Sequence, residues 1–207
     1  MSRKGILAVV SGFSGAGKGT LMKALLSEYA DQYALSISAT TRGPREGEMD
    51  GREYFFKTKE QFEQMIEDGE LIEHACYVGN YYGTPKSYVM EQLEAGKNVI
   101  LEIEIQGALN VKKKFPDTLL LFVTPPSAQE LEHRLRGRGT ETDEVIRSRL
   151  KRAVEEAEFM DHYDYILVND DLETCVQEMH ELIQAQRHKT SQNQEFIAEM
   201  KEDLKQF

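Results

Sequence analysis

The chain has 207 residues, of which 40% are hydrophobic, and it carries a formal net charge of −11 at pH 7. This length suits one domain with smaller inserted lobes, and the apolar content is enough for a buried core. The acidic balance argues against a general nucleic-acid binder, because such proteins carry a basic excess that offsets phosphate charge. Any phosphate site must therefore be a local cluster of arginine and lysine.

Cysteine content and hydropathy indicate the compartment. Cys76 and Cys175 are too few and too far apart for a disulfide framework or a zinc site, so we expect both to be reduced core residues. No apolar run approaches the roughly 18 residues of a membrane span, and the N-terminus is too weakly apolar for a signal peptide. These features predict a cytoplasmic protein that binds neither membrane nor nucleic acid.

Buried strands and helices alternate along most of the chain. An apolar run at residues 6–10 predicts a strand buried on both faces, and apolar residues spaced by four predict a helix from Lys18 to about Tyr29. Further strands are predicted at 98–105, 119–123 and 165–168. This order predicts an α/β fold, a doubly wound parallel sheet.

Capping signals mark the helices between these strands. Thr84 is the predicted N-cap of one helix, with Pro85 as its first residue. Ser127 and Glu130 form a predicted capping box ahead of another. A polar tail beyond about Arg187 predicts a weakly packed helix.

Residues 38–84 interrupt the alternation and predict an inserted lobe of mixed strands. Gly43-Pro44 and Gly79-Asn80 mark turns, and Asp50-Gly51 is a hairpin signal. A short helix is predicted within the lobe. Its capping box is Thr58 with Gln61, and its apolar face carries Phe62, Met65 and Ile66.

Residues 127–157 hold two helical patterns joined by a flexible basic segment at 136–139, which predicts a mobile helical lid. The core then comprises residues 1–37, 85–126 and 158–207.

Residues 12–18 read Gly-Phe-Ser-Gly-Ala-Gly-Lys, which matches the P-loop pattern G-x-x-x-x-G-K at a strand-to-helix junction. Glycines there let backbone N–H groups surround phosphates, and Lys18 can reach the β and γ phosphates. Position 19 is glycine, where P-loops normally supply a hydroxyl to Mg²⁺. We therefore expect Mg²⁺ to be held by water and nucleotide oxygens, with Thr20 and Glu102 as candidates acting through water.

A pair of glutamates and two clusters of arginines carry charges that suit a nucleotide-binding site. Glu102 and Glu104 are two apart on the predicted strand at 98–105, so both side chains should share one face of a buried element, facing hydrated Mg²⁺ or a substrate amide. Internal hydrogen bonds or a neighbouring arginine would satisfy them equally. Two arginine clusters suit phosphate groups, although surface arginines also pair with nearby glutamates. They are Arg42 with Arg45 in the lobe, and Arg134, Arg138 and Arg149 in the lid.

Four motifs occur in order along the chain: the P-loop, the Ser/Thr/Arg run at 36–48, Gly-Asn-Tyr-Tyr-Gly-Thr at 79–84 and Gly-Arg-Gly-Thr-Glu at 137–141. Together they resemble the bacterial guanylate kinases, of the nucleoside monophosphate kinase group. The resemblance covers about residues 4–185. It implies a P-loop core with an inserted mixed-β GMP-binding lobe and a helical lid. The implied reaction is ATP + GMP giving ADP + GDP, with dGMP as a further acceptor, Mg²⁺ as Mg-ATP, and a monomer or homodimer.

The resemblance also implies roles for individual residues. ATP would bind to Ser11, Gly12, Phe13, Ser14, Gly15, Ala16, Gly17, Lys18, Gly19, Thr20 and Asn169. GMP would bind to Ser38, Arg42, Arg45, Tyr54, Glu73, Tyr82, Thr84, Glu102 and Glu104. Lys18, Arg42, Arg134, Arg138 and Arg149 would carry catalysis. The position of Glu104 is more often Asp in the family.

Guanine presents N1–H and N2–H₂ donors together, which a carboxylate accepts, so Glu73 would select guanine over adenine. Three alternatives share parts of this pattern. They are the peptide-binding guanylate kinase-like modules of scaffold proteins, the signalling GTPases and the adenylate kinases. An intact P-loop lysine disfavours the first, the lack of an Asn-Lys-x-Asp motif disfavours the second, and the Ser/Thr/Arg run with Glu73 disfavours the third.

Overall fold

The computed structural model describes residues 4–77, 79–137 and 142–207. Its strands are β1 (Leu7–Gly12), β2 (Tyr33–Leu35), β3 (Ala39–Thr40), β4 (Phe55–Phe56), β5 (Leu71–Tyr77), β6 (Asn80–Pro85), β7 (Asn98–Glu102), β8 (Leu119–Thr124) and β9 (Tyr165–Val168). Its α-helices are α1 (Lys18–Glu28), α2 (Lys59–Glu67), α3 (Lys86–Glu94), α4 (Ile105–Lys114), α5 (Ala128–Gly137), α6 (Asp143–Ala157), α7 (Leu172–Gln186) and α8 (Gln194–Asp203).

A five-stranded sheet with the order β2-β7-β1-β8-β9 forms the core, and its neighbouring strands are parallel. The central strand β1 pairs with β7 on one side and β8 on the other. The inner strands are buried on both faces, as their continuous apolar runs predict. The prediction of a doubly wound parallel sheet is confirmed.

A second sheet, with the order β4-β3-β6-β5, lies within the predicted lobe. Its β3-β4 pair is parallel, whereas β6 is antiparallel to both β3 and β5, so the sheet is mixed as predicted. Helix α2 covers it with buried Phe62, and the capping box of Thr58 and Gln61 forms in both directions. The core, lobe and lid boundaries stay predictions.

Two local predictions in the lobe are wrong. Asp50-Gly51 forms a turn but no hairpin, because β4 pairs in parallel with β3. Instead, the Asp50 carboxylate accepts a hydrogen bond from the Phe56 N–H at 2.7 Å. Thr84 does not cap α3: it belongs to β6, and Pro85 occupies the N-cap position.

Burial also departs from expectation in two places. The predicted buried strand β9 exposes 39% of Tyr165, 42% of Ile166 and 46% of Val168. It lies at the sheet edge and pairs only with β8, so its neighbours cover less of it. Cys175 is a buried thiol as predicted, but Cys76 is exposed on the lobe sheet.

The lid region and the tail match their predicted elements. The Ser127 hydroxyl accepts the Glu130 N–H at 3.1 Å before α5, and α6 follows the second part of the predicted lid. The tail forms α8 with few buried groups, and it exposes Phe196 and Met200. Within the described ranges, the helices are all too short or too polar to traverse a bilayer.

Helix α7 packs on α1 through an aromatic cluster around His180. The Tyr29 ring stacks on the imidazole at 3.9 Å between centroids, and the Tyr33 hydroxyl lies 2.8 Å from its Nδ1. Burial lowers the pKa of His180, against the opposing effect of the carboxylates of Glu28 and Glu181. The neutral imidazole is therefore the form that the fold prefers.

Acidification should weaken the fold at this cluster. A lowered folded-state pKa means that His180 stabilises the protein above its unfolded pKa of about 6.5 and loses that contribution as pH falls. We expect His180→Gln to lose less unfolding free energy than the wild type between about pH 7.5 and 5.5, measured by urea denaturation. The exposed His188→Gln variant is the control and should follow the wild type. An equal loss in all three proteins would contradict the prediction.

Candidate active site

The P-loop begins at the end of the central strand β1. Its glycines Gly12, Gly15 and Gly17 have φ values of 149°, 100° and 90°. A Cβ on Gly12 would lie 2.1 Å from the Val123 carbonyl oxygen, and one on Gly17 would lie 2.5 Å from Asn169 Nδ2. Both positions therefore require glycine for conformation and for space.

Lys18 is the first residue of α1. Its ammonium reaches back over the loop and donates to the carbonyl oxygens of Gly12 at 2.8 Å and Phe13 at 3.1 Å. The charge thus lies at the helix N-terminus, where the helix dipole also favours anions.

Asn169, directly after β9, is buried, and its Nδ2 donates to the Ala16 carbonyl oxygen at 2.8 Å. The resemblance places this residue at the adenine end of ATP. The structure shows that its amide is hydrogen-bonded to the backbone of the P-loop.

A cavity of about 410 Å³ opens beside the loop. It is lined by Ser11, Gly12, Ser14 and Lys18 together with Glu102, Glu104 and Arg149. Arg149 on α6 donates to the Ser14 hydroxyl at 3.0 Å. The fold therefore brings residues from the P-loop, the end of β7 and α6 into one cleft, whereas Arg42 and Arg45 of the lobe are not among the described residues that line it.

The two other predicted lid arginines are placed differently. Arg134 pairs with Glu130 at 2.7 Å and is not among the described residues that line this cavity. Arg138 lies outside the described residues.

The spacing of Glu102 and Glu104 predicts that both side chains share one face of a buried strand. This prediction is wrong. Strand β7 ends at Glu102, and Glu104 is the N-cap residue of α4. Both are exposed at the cleft because the strand stops at its carboxyl end. Glu104 forms a salt bridge with Arg152 at 3.0 Å. A neighbouring arginine thus satisfies this carboxylate, which is one of the alternatives that the sequence left open.

Sequence reasoning missed Arg152. It lines the same cavity from α6 and also contacts Glu156 at 3.0 Å. The spacing of four between Arg152 and Glu156 is a sequence signal for that pair, whereas the contact with Glu104 depends on the tertiary fold. The Glu104–Arg152 pair joins the lid region to the start of α4.

A second cluster occupies the lobe sheet around Arg42. Its guanidinium lies 2.9 Å from a Glu48 carboxylate oxygen and 5.2 Å from the centre of the Tyr54 ring. Tyr54 in turn packs edge-on against Tyr82 at 6.1 Å. The second Glu48 oxygen accepts the Arg45 N–H at 2.8 Å, so one carboxylate organises both arginine positions. Glu48 had no predicted role, although it ends the Ser/Thr/Arg run.

The hydrogen bond between Arg42 and Glu48 stabilises the charged form of both side chains. The side-chain hydrogen bond from Arg42 lowers the pKa of Glu48, and the same bond raises the pKa of Arg42. Ser38 lies just before β3, where its carbonyl oxygen accepts the Phe55 N–H at 2.9 Å. The lobe therefore presents an ordered cation beside two phenols.

Glu73 on β5 is the buried carboxylate of the lobe, with 8% of the residue exposed. The Thr84 hydroxyl donates to its Oε1 at 2.8 Å, so the Thr84 side chain contacts Glu73 and does not cap a helix. Burial raises the pKa of Glu73, while Thr84 and Lys114 act to lower it. Burying an ionised carboxylate costs free energy unless hydrogen-bond donors satisfy both of its oxygens.

Comparisons with known proteins agree with this arrangement. The sequence model of the guanylate kinase family matches residues 4–186. The guanylate kinase of Bacillus subtilis is 51% identical over 189 residues, which cover 91% of this chain and 93% of that protein. That of Oceanobacillus iheyensis is 53% identical over 190 residues, covering 91% of each. The chain belongs to the guanylate kinase family. A crystal structure of guanylate kinase from Anaplasma phagocytophilum shares the fold, with a TM-score of 0.70, 31% identity and coverage of 91% of this chain and 89% of that one.

Mg²⁺, which kinases generally bind with ATP, fits the residues of this guanylate kinase family member without a protein cage. Thr20 and Glu102 line a cavity of about 370 Å³ together with Lys18. Among the described residues, no group of three or more His, Cys, Asp or Glu side chains is arranged to hold a metal. Such a site suits an ion that keeps most of its waters and binds phosphate oxygens.

The bond from Asn169 to the P-loop should matter for both stability and nucleotide binding. Asn169→Ala leaves the Ala16 carbonyl without its donor, so we expect a loss of about 1–3 kcal/mol in unfolding free energy. Because the P-loop loses its brace, KM for ATP should rise more than KM for GMP. Asn169→Asp, which keeps the size but not the donor, should behave similarly, and the exposed Gln192→Ala should match the wild type. Wild-type stability and KM in both Asn169 variants would reject this role.

Proposed function

We propose that this guanylate kinase family member transfers the γ-phosphoryl group of ATP to GMP and releases ADP and GDP. The observation that carries the proposal is the buried Glu73 carboxylate in the lobe, held by Thr84, alongside a P-loop in the core that keeps its glycines and Lys18. The carboxylate can accept the N1–H and N2–H₂ donors of guanine together. Adenine has no such donor pair, so this geometry favours GMP as the acceptor.

The lobe cluster would hold the phosphate of GMP. Arg42 and Arg45 supply the positive charge, and the hydroxyls of Tyr54 and Tyr82 supply donors. Glu48 already holds the Arg42 guanidinium at 2.9 Å, so less side-chain entropy is lost when a phosphate arrives. Ser38 and Thr84 would contact O6 or N7 of the base. Glu102 and Glu104 would close the site on the α4 side.

The P-loop with its flanking residues, 11–20 in all, would hold the β and γ phosphates of ATP, with Asn169 hydrogen-bonded to the loop. Lys18, with Arg149 from α6, faces the cavity where charge builds up during transfer. We assign Arg134 and Arg138 to the same task, once the lid closes over the triphosphate. Thr20 and Glu102 would hold a hydrated Mg²⁺ through its waters, and the ion would supply positive charge that offsets part of the phosphate charge.

No general base is needed for this reaction. The attacking oxygen belongs to a phosphate monoester whose second pKa is roughly 6, so it is ionised at neutral pH. The protein must align two polyanions and offset the charge on the transferring group. Lid closure also excludes water, which limits hydrolysis of ATP.

Glu73→Gln tests the guanine assignment. The glutamine amide has only one acceptor oxygen, and its NH₂ group would face one of the N–H donors of guanine. We therefore expect KM for GMP to rise about 10- to 100-fold. KM for ATP should change little. A coupled assay with GMP, dGMP, AMP and UMP in turn measures both constants and acceptor choice. The exposed Glu70→Gln on the same lobe is the control and should keep both KM values. An equal increase of KM for GMP and for ATP in Glu73→Gln would contradict the assignment.

Lys18→Ala tests the P-loop assignment. Removing the cation that faces the transferring phosphate should lower kcat about 100- to 1,000-fold. Circular dichroism and thermal melting should show that the fold persists. Lys201→Ala, on the exposed α8, should keep full turnover. A near-normal kcat for Lys18→Ala would reject the role.

A further inference from the structure

Helix α4 brings a lysine to the strand that carries Glu73. The Lys114 ammonium donates to the Ile72 carbonyl oxygen at 2.8 Å, and Ile72 directly precedes Glu73 in β5. Lys114 is the last residue of α4, and its other surfaces are exposed to solvent. The end of the helix is thereby tied to the backbone beside the buried carboxylate.

The same face of α4 lies against the carboxylate itself. Gly107, two turns before Lys114, has Glu73 Oε2 only 3.3 Å from the position that a Cβ would occupy. A side chain at this position would crowd both Glu73 and Ile103. Helix α4 therefore covers the carboxylate and contributes to its desolvation, which raises the pKa of Glu73.

The polar and charged groups that shift the pKa of Glu73 come from β6 and from α4 with its N-cap residue. From β6, the Thr84 hydroxyl lowers the pKa of Glu73 by donating to its Oε1. From α4, Lys114 lowers this pKa and Glu104 raises it. Lys114 is thus the positive charge that opposes both burial and Glu104.

We propose that Lys114 is a positioning residue for guanine selection, whose ammonium keeps Glu73 ionised while its hydrogen bond anchors β5 to α4. The inference rests on the proposed role of Glu73 as the guanine acceptor. An ionised carboxylate offers only acceptors to the N1–H and N2–H₂ donors. A protonated carboxyl turns one oxygen into a donor, which conflicts with the guanine edge.

The proposal has a defined pH dependence. Without the Lys114 charge, the pKa of Glu73 rises further, so fewer molecules carry the carboxylate at a given pH below or near that value. KM for GMP should then increase as pH falls, and variant and wild type should converge at high pH. Because GMP itself titrates, the informative quantity is the ratio of variant to wild-type KM at each pH.

Three variants separate charge from structure. Lys114→Gln removes the charge and keeps a hydrogen-bond donor, Lys114→Arg keeps both, and Lys113→Gln changes the exposed neighbour on the same helix. We expect the Lys114→Gln ratio for GMP to reach about three- to tenfold at the acidic end of the measured range and to approach one at the alkaline end. The ratio for ATP should stay near one throughout. Lys114→Arg and Lys113→Gln should follow the wild type, and added salt should shrink the Lys114→Gln effect, since it screens exposed charges.

A ¹³C NMR titration of the Glu73 carboxyl, assigned with Glu73→Gln, provides a readout besides activity. Lys114→Gln should titrate at higher pH than the wild type. A GMP ratio that is constant with pH, together with an unshifted titration, would show that Lys114 is only a structural brace and would overturn the inference alone. If Glu73→Gln leaves KM for GMP unchanged, the guanine-acceptor role itself fails, and the inference fails with it.

Discussion

The parallel pairing of β1 with β7 and β8 is the constraint on which the site depends. Parallel strands end at the same edge of a sheet, so the P-loop after β1 emerges beside the ends of both neighbours. The register sets Val10 opposite Glu102 and Gly12 opposite Val123. It is the close approach to Val123 that excludes a side chain at Gly12. One hydrogen-bonding pattern thus places the phosphate-binding loop, the cleft carboxylate and the obligatory glycine.

Helix α4 connects the two halves of the candidate site. Its N-cap Glu104 lines the cavity beside the P-loop, while Gly107 and Lys114 lie against β5 and Glu73. The helix follows β7 directly, so its start is fixed by the core sheet. The spacing between the P-loop cleft and the buried carboxylate therefore depends on a helix and not on a loop. This suits a reaction that requires two phosphates to meet in line.

Local chemistry made the first half of the site predictable. The P-loop pattern needs only a strand, a helix and glycines at set positions, and the capping box of Thr58 and Gln61 acts within four residues. The errors have tertiary causes. Glu104 leaves the predicted strand because β7 ends at Glu102, and Thr84 turns from a helix cap to a partner for Glu73. The apolar composition of β9 does not reveal that the strand lies at an edge.

The sequence by itself determined the parallel α/β core, the glycine-rich turn of the P-loop and the guanylate kinase family, because these follow from patterns local in the chain or from several motifs in order. The tertiary structure decided which charges face one another. Arg152 with Glu104, Glu48 with Arg42, and Lys114 beside Glu73 each depend on how elements pack. The energy of a charge depends on its burial and on its neighbours in space, and spacing along the chain specifies neither.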